Sequence, residues 1–159
     1  MNETPATPGV RFPPPLIFAL GLGAGLALEH WHASLPLLDP ARAWWLDLHA
    51  AAFGLVAIWL LGSALRGFRR KGTDPRPWRE DSALVEEGIY QHTRNPMYLG
   101  MALAYVAITL ALNSLWPVLT FVPVILLIRF YVIGREERYL ARLFGQAYLD
   151  YCQKVRRWF

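Results

Sequence analysis

Residues 94–133 read RNPMYLGMALAYVAITLALNSLWPVLTFVPVILLIRFYVI, and this stretch decides the fold. It contains two apolar runs, 97–112 and 115–133, which are separated only by Asn113 and Ser114. A helix that crosses a bilayer needs about 20 mostly apolar residues. The stretch therefore predicts two membrane-spanning helices joined as a tight hairpin.

Two further apolar runs, 16–33 and 44–65, precede the hairpin. The chain is 55% hydrophobic and 18% charged, whereas soluble domains average about 45–50% and about 25%. A bilayer accommodates this excess more easily than the core of a small soluble domain. Glycines at 21, 23 and 25 lie inside the first run, where small residues let neighbouring helices approach closely. We predict an all-α membrane protein with about four transmembrane helices.

Lys and Arg are distributed unevenly among the predicted loops. Segment 66–96 holds seven and the chain from 135 onward holds six, whereas the loop between the first two runs holds Arg42 alone. Cytoplasmic loops are enriched in Lys and Arg. The distribution predicts a multi-pass protein of the inner membrane, with both termini and the connector 66–96 in the cytoplasm. It also explains the net charge of +4, so nucleic acid is not predicted as a partner.

The cytoplasmic connector is long for this chain, and it mixes turn-forming residues with apolar ones such as Tyr90. Long loops without their own secondary structure are usually functional or disordered, and the apolar content favours function. Beyond the last span, apolar residues recur at spacings of three and four as far as Tyr151, which predicts a C-terminal amphipathic helix. This helix can lie on the bilayer or cap the connector. We divide the chain into a two-span segment, 1–65, and a core, 66–159.

The start of the third span is the first candidate for chemistry. Asn95 is a good N-cap and Pro96 a good first helical residue. The first backbone N–H groups of a helix lack intrahelical partners and suit an anion, and Arg94 lies beside them. A capped helix with an interfacial arginine is an equally good interpretation of these residues alone.

The acidic pair Glu136 and Glu137 is the second candidate, because it directly follows the last span. Arg129 lies seven residues before Glu136, which is about two α-helical turns, so the two are expected to share a face. A solvated helix with pairs at i,i+3 and i,i+4 is the favoured interpretation of the acidic pair by itself. Arg129 either reaches back to the interface or points into a site.

Polar residues also cluster near the outer ends of the first two spans, namely Glu29, His30, His32, Asp47 and His49. Tryptophans beside them are typical of an interface belt, so no metal site is predicted there. Because ionisable groups within a membrane are costly, Asp47 and His49 are expected to face the bundle interior. The single cysteine, Cys152, excludes an internal disulfide and a cysteine-based metal cluster.

Three motifs together resemble a known family. They are LVEEGIY at 84–90, RNPMYLG at 94–100 and REERYLARLFGQAYLDYCQKV at 135–155. Their order and spacing are similar to those of the integral-membrane methyltransferases related to isoprenylcysteine carboxyl methyltransferase and phospholipid N-methyltransferases. The resemblance covers roughly 66–157.

The resemblance implies S-adenosylmethionine as methyl donor. By similarity, the cofactor would contact Ser82, Ala83, Leu84, Val85, Tyr90, Asn95, Pro96, Met97, Tyr98 and Glu136. Candidate catalytic residues are Arg94, Glu137 and Arg129, the last as the family's substrate-binding arginine. The family often has histidine where this chain has Asn95, which cannot act as a titrating base.

The methyl acceptor is expected to be lipophilic and to enter from the bilayer between spans. Methylation of a carboxylate oxygen is favoured and needs no base, whereas an amine would need one such as Glu137 or His92. A non-catalytic membrane scaffold and a relative that binds a nicotinamide cofactor are the alternatives. The intact motifs favour the enzyme over the scaffold.

Overall fold

The computed structural model describes residues 7–39, 41, 43–72 and 83–158, and every regular element in these ranges is a helix. Six α-helices follow one another: α1 (Pro14–Trp31), α2 (Trp44–Lys71), α3 (Pro96–Ala111), α4 (Leu115–Leu127), α5 (Gly134–Phe144) and α6 (Gln146–Lys154). A 3-10 turn, Gly88–Gln91, precedes α3, and a π-helical turn, Ile128–Ile133, joins α4 to α5 without a break.

Two helices are long and apolar enough to cross a membrane by length and composition. They are α2, with 28 residues, and the continuous helix Leu115–Phe144, with 30 residues. By contrast, α1 has 18 residues and α3 is a shorter apolar helix of 16. The all-helical prediction is confirmed, and the count of four spans stays a prediction.

The helices pack in two close pairs, α2 against α3 and α1 against α4. A Cβ atom added to Gly25 would lie 2.7 Å from Cα of Pro117, and one added to Gly21 would lie 2.1 Å from a methyl group of Val124. The predicted role of small residues in close helix approach is thereby confirmed for Gly21 and Gly25, but not for Gly23. The predicted hairpin turn is present at 113–114, but α3 and α4 pack less closely with each other than with α2 and α1. The Tyr105 hydroxyl donates to the Pro117 carbonyl oxygen at 3.0 Å.

Gly25→Ala is expected to destabilise the protein by about 1–3 kcal/mol, because the new methyl group must displace the backbone of α4. The matched control is Gly23→Ala, since a Cβ at Gly23 meets no atom within 4 Å. Thermal unfolding of both variants in one detergent checks this. Equal melting temperatures for the two variants would contradict the close α1–α4 contact.

The π-helical turn corrects the predicted placement of Arg129. A π-helical turn holds more residues than an α-helical one, so spacing of seven residues across it does not return to the same face. Arg129 is exposed, and its guanidinium carbon lies 5.5 Å from the ring centre of Phe130. The expectation that Arg129 and Glu136 share a face is therefore wrong.

Gly145 corrects the prediction of one C-terminal amphipathic helix. Its φ of +57° interrupts the helix and produces two, α5 and α6. Tyr148 and Tyr151 of α6 pack with Leu84 of the connector and with Leu140 of α5. Of the two predicted positions for the amphipathic segment, the structure shows the one that caps the connector.

Near the start of α2, Asp47 and His49 are exposed, so the expectation that they face the bundle interior is wrong. His49 Nδ1 lies 2.6 Å from the carbonyl oxygen of Trp45, one turn earlier on α2. Glu29 accepts hydrogen bonds from Ser34 and Ser114, which ties α1 to the α3–α4 turn. Glu29 and His49 therefore make hydrogen bonds that stabilise the local structure.

Candidate active site

A cavity lies where the start of α3 meets α5, α6 and the end of the connector. It encloses about 820 Å³ when the open space at its mouth is counted. The connector, its 3-10 turn and the start of α3 contribute Ala83, Leu84, Val85, Tyr90, Arg94, Asn95, Pro96, Met97 and Tyr98. The other side is formed by Pro8, Phe68, Glu136, Glu137, Leu140, Tyr148 and Tyr151.

The C-terminal tail holds the start of α3 in place. Asn95 occupies the N-cap position, but its side chain does not cap the helix and instead donates to the Arg157 carbonyl oxygen at 2.9 Å. The Thr93 hydroxyl donates to the same oxygen at 3.2 Å. The backbone N–H of Arg94 donates to the Arg156 carbonyl oxygen at 3.1 Å. Three consecutive residues are thus fixed by the tail, an arrangement that the sequence analysis did not predict.

The two glutamates of α5 have different partners. Glu136 accepts a hydrogen bond from the Tyr98 hydroxyl, which joins the first turn of α5 to the first turn of α3. Glu137 accepts two hydrogen bonds from Arg157, at 3.0 and 2.5 Å, and lies 3.4 Å from Nη2 of Arg94. Hydrogen bonding to Glu137 also raises the pKa of Arg157. Glu137 is therefore the centre of a cluster with two cations.

Arg94 is largely enclosed, with 15% of its side chain exposed. Nη1 contacts Sγ of Cys152, and Nη2 faces Glu137. The Nε atom of Arg94 is buried and has no hydrogen-bond partner among the residues that the structure describes. Since a guanidinium carries five N–H donors, Arg94 retains donor capacity at the cavity wall.

Aromatic rings form much of the remaining wall. The Tyr151 hydroxyl donates to the Tyr90 carbonyl oxygen at 2.7 Å, and the Tyr90 ring meets Phe68 edge-on at 5.6 Å. Burial raises the pKa of both Tyr148 and Tyr151, so these phenols stay protonated at physiological pH. The faces of such neutral aromatic rings can pack against a cation or a flat ring.

The structure brings most of the predicted site residues together around this one cavity. Ala83, Leu84, Val85, Tyr90, Asn95, Pro96, Met97, Tyr98 and Glu136 all line it, as do Arg94 and Glu137. Ser82 lies outside the described residues, Arg129 does not line the cavity, and His92 lies in a separate groove. The assigned roles, including that of Arg129, stay predictions.

Sequence analysis missed Phe68, Tyr148, Tyr151 and Arg157 as members of the site. The two tyrosines occupy apolar positions of the amphipathic segment, so their pattern indicated packing but not the surface on which they pack. The residues next to Arg157 in the sequence do not predict its role, because its contacts are with residues about 20 and 60 positions away.

Comparison with known proteins gives a consistent picture. Residues 47–147 match the family model described as phospholipid methyltransferase. A stretch of 62 residues is 45% identical to an uncharacterized protein of Haemophilus influenzae and covers 39% of this chain and 98% of that protein. No solved structure matches significantly.

Two further relatives are named as isoprenylcysteine O-methyltransferases. Over 78 residues the chain is 35% identical to protein-S-isoprenylcysteine O-methyltransferase B of Arabidopsis thaliana, which covers 48% of this chain and 39% of the relative. Over 121 residues it is 29% identical to protein-S-isoprenylcysteine O-methyltransferase of Dictyostelium discoideum, with coverages of 76% and 50%. The chain thus spans half or less of the length of these two relatives.

An all-helical fold with membrane-length apolar helices, together with these matches, defines the class as the membrane-associated methyltransferases. The family match runs over more than half of the chain. The chain belongs to the phospholipid methyltransferase family.

Proposed function

We propose that this protein transfers a methyl group from S-adenosylmethionine to a lipophilic acceptor at the cytoplasmic face of the inner membrane. The observation that carries the proposal is the convergence of two carboxylates, one enclosed arginine and several aromatic rings on a single cavity at the start of α3. Perturbed and specifically partnered groups in a cleft are the usual mark of a functional site.

The residues present fit this cofactor. Arg94 has an unpartnered buried Nε, and the first turn of α3 presents backbone N–H groups, so both suit the methionine carboxylate. The rings of Tyr90 and Tyr98 suit the sulfonium, and Glu136 suits ribose hydroxyls. The tail contacts at 93–95 keep the start of α3 in position. Positioning of this kind can account for much of the rate of a direct displacement.

The bound cofactor supplies a methyl carbon whose bond to sulfur breaks as the acceptor oxygen bonds to it, which leaves a neutral thioether and a methyl ester. The protein's part is to orient the acceptor in line and to exclude water. The acceptor enters sideways from the bilayer, because an apolar tail crosses the cytosol only at a high cost.

The partners of Glu137 favour a carboxylate acceptor over an amine. An amine must lose a proton before attack, so its methylation requires a nearby base. Glu137 is held by Arg157 and Arg94, and His92 lies outside the cavity. An ionised carboxylate needs no base, and we therefore rank O-methylation above phospholipid N-methylation.

The proposed topology has four spans, α1, α2, α3 and α4, with both termini in the cytoplasm. The supporting observations are the distribution of Lys and Arg in the sequence and the location of the cavity at the ends of α3 and α5. The Asn113–Ser114 turn would then face the opposite side of the membrane.

The purified full-length protein is expected to bind S-adenosylhomocysteine in isothermal titration. Absence of binding at millimolar ligand would reject the proposed donor. The acceptor is sought by mass spectrometry of membrane lipids after labelling with a heavy-methyl donor, with and without the protein. A label on an ester supports O-methylation, whereas a label on a phospholipid amine overturns the ranking given above.

A further inference from the structure

A second groove lies beside the cavity, between the cytoplasmic end of α2 and the turn before α3. One wall consists of Trp59, Ser63, Arg66 and Arg70. Their spacings of four, three and four place them on one face of α2. The opposite wall includes Gly88 and His92. Tyr90 of the same turn lines the cavity, so the groove and the cavity lie on different sides of this turn.

The groove carries an excess of positive charge. Its one acidic residue, Glu87, is paired with Lys71 at 2.6 Å, and this contact lowers the pKa of Glu87. Arg66 donates to the Ser63 hydroxyl at 3.0 Å. Within the described ranges, Arg70 makes no hydrogen bond or salt bridge. The charge of Arg70 also lowers the pKa of Glu87, so the two guanidinium groups of the groove have beside them one carboxylate, which is already paired with Lys71. The groove therefore keeps a net positive charge.

The same face of α2 continues as exposed apolar surface away from the arginines. Trp59 is 56% exposed, and Leu55 and Val56, one turn earlier, are 69% and 45% exposed. Since α2 is long and apolar enough to cross a membrane, this surface would lie against acyl chains. A tryptophan between apolar and charged positions is typical of the membrane interface.

We propose that the groove binds the headgroup of an anionic phospholipid. The phosphodiester would lie between Arg66 and Arg70, because guanidinium groups match phosphate oxygens with paired hydrogen bonds. The acyl chains would run along Trp59 and Leu55. A free phosphate could use the arginines, but it would leave the adjoining apolar surface uncovered, so the lipid is the better fit. This ligand is distinct from the methyl acceptor, which belongs to the cavity.

The test uses the purified full-length protein in detergent and native mass spectrometry with three probes: phosphatidylglycerol, phosphatidylcholine and glycerol 3-phosphate. Phosphatidylglycerol has no amine and cannot be an N-methyl acceptor. We expect it to bind at least about tenfold more tightly than phosphatidylcholine. The double variant Arg66→Gln/Arg70→Gln should lose about tenfold in affinity for phosphatidylglycerol.

The matched control is Arg69→Gln/Arg142→Gln, which removes the same charge from exposed positions outside the groove. Its affinity for phosphatidylglycerol should stay within about twofold of wild type. Equal binding of the two lipids, an unchanged groove variant or an equal loss in the control would overturn the proposal. Glycerol 3-phosphate binding as tightly as phosphatidylglycerol would also overturn it, in favour of a soluble phosphate. Binding of S-adenosylhomocysteine, measured on the same samples, tests the donor cavity separately.

Discussion

Glu137→Gln is expected to lower the free energy of unfolding by about 2 kcal/mol, because the cost for a part-buried ion pair lies between that of a surface salt bridge and that of a buried pair. The carboxylate is 19% exposed and is shared by Arg157 and Arg94. Its neutralisation leaves two guanidinium groups close together without a counter-charge. Because Arg157 also anchors the tail that holds residues 93–95, the loss should loosen the start of α3.

Thermal unfolding in one detergent measures this effect, with an expected fall in melting temperature of about 4–8 °C for a chain of this size. Glu86→Gln is the matched control, since Glu86 is exposed and does not line the cavity. A double-mutant cycle with Arg157→Gln isolates the pair, and the two changes together should cost less than their sum. A melting temperature within about a degree of wild type would show that the pair behaves like a surface salt bridge.

The sequence was sufficient for features that depend on local composition. The two apolar runs at 97–112 and 115–133, divided by Asn113 and Ser114, predicted the turn between α3 and α4. Pro96 predicted the first residue of α3. The family resemblance, rather than local composition, predicted Tyr98 and Glu136 as site residues, and the structure places both on one cavity.

Features that depend on helical register or on distant contacts could not be predicted in this way. No sequence pattern within the apolar run predicts the π-helical turn at 128–133, yet this turn places Arg129 and Glu136 on different faces of the helix. The sequence does not show that Gly145 adopts a positive φ, which divides the amphipathic segment into two helices. The tail contacts use backbone carbonyl oxygens, and a sequence pattern does not show which distant donors reach them.

Asn95 shows how the structure changes the meaning of a sequence feature. From the sequence it is a good N-cap residue and a departure from the family's frequent histidine. In the structure its amide donates to the Arg157 carbonyl oxygen and is buried. This residue therefore positions the start of α3 through the tail, a role that requires a hydrogen-bond donor and no titrating base.

Glu136→Ala and Tyr98→Ala are each expected to weaken binding of S-adenosylhomocysteine at least about tenfold, which corresponds to about 1.4 kcal/mol. The two side chains are hydrogen-bonded across the cavity, from α3 to α5. In the proposed binding mode, Glu136 would supply the carboxylate for ribose hydroxyls, and Tyr98 would supply an aromatic face and orient that carboxylate. Removal of either therefore removes a ligand contact and disturbs its neighbour.

Milder variants separate these contributions. Tyr98→Phe keeps the ring and loses the hydroxyl, so it should lose less affinity than Tyr98→Ala. If the hydroxyl acts through Glu136, Tyr98→Phe/Glu136→Gln should lose little more than Glu136→Gln alone. Glu29→Gln is the matched control, because this glutamate also accepts from hydroxyl groups but lies beside the α3–α4 turn and does not line the cavity. Wild-type affinity in both alanine variants would place the donor outside this cavity, whereas an equal loss in the control would point to a general loss of fold.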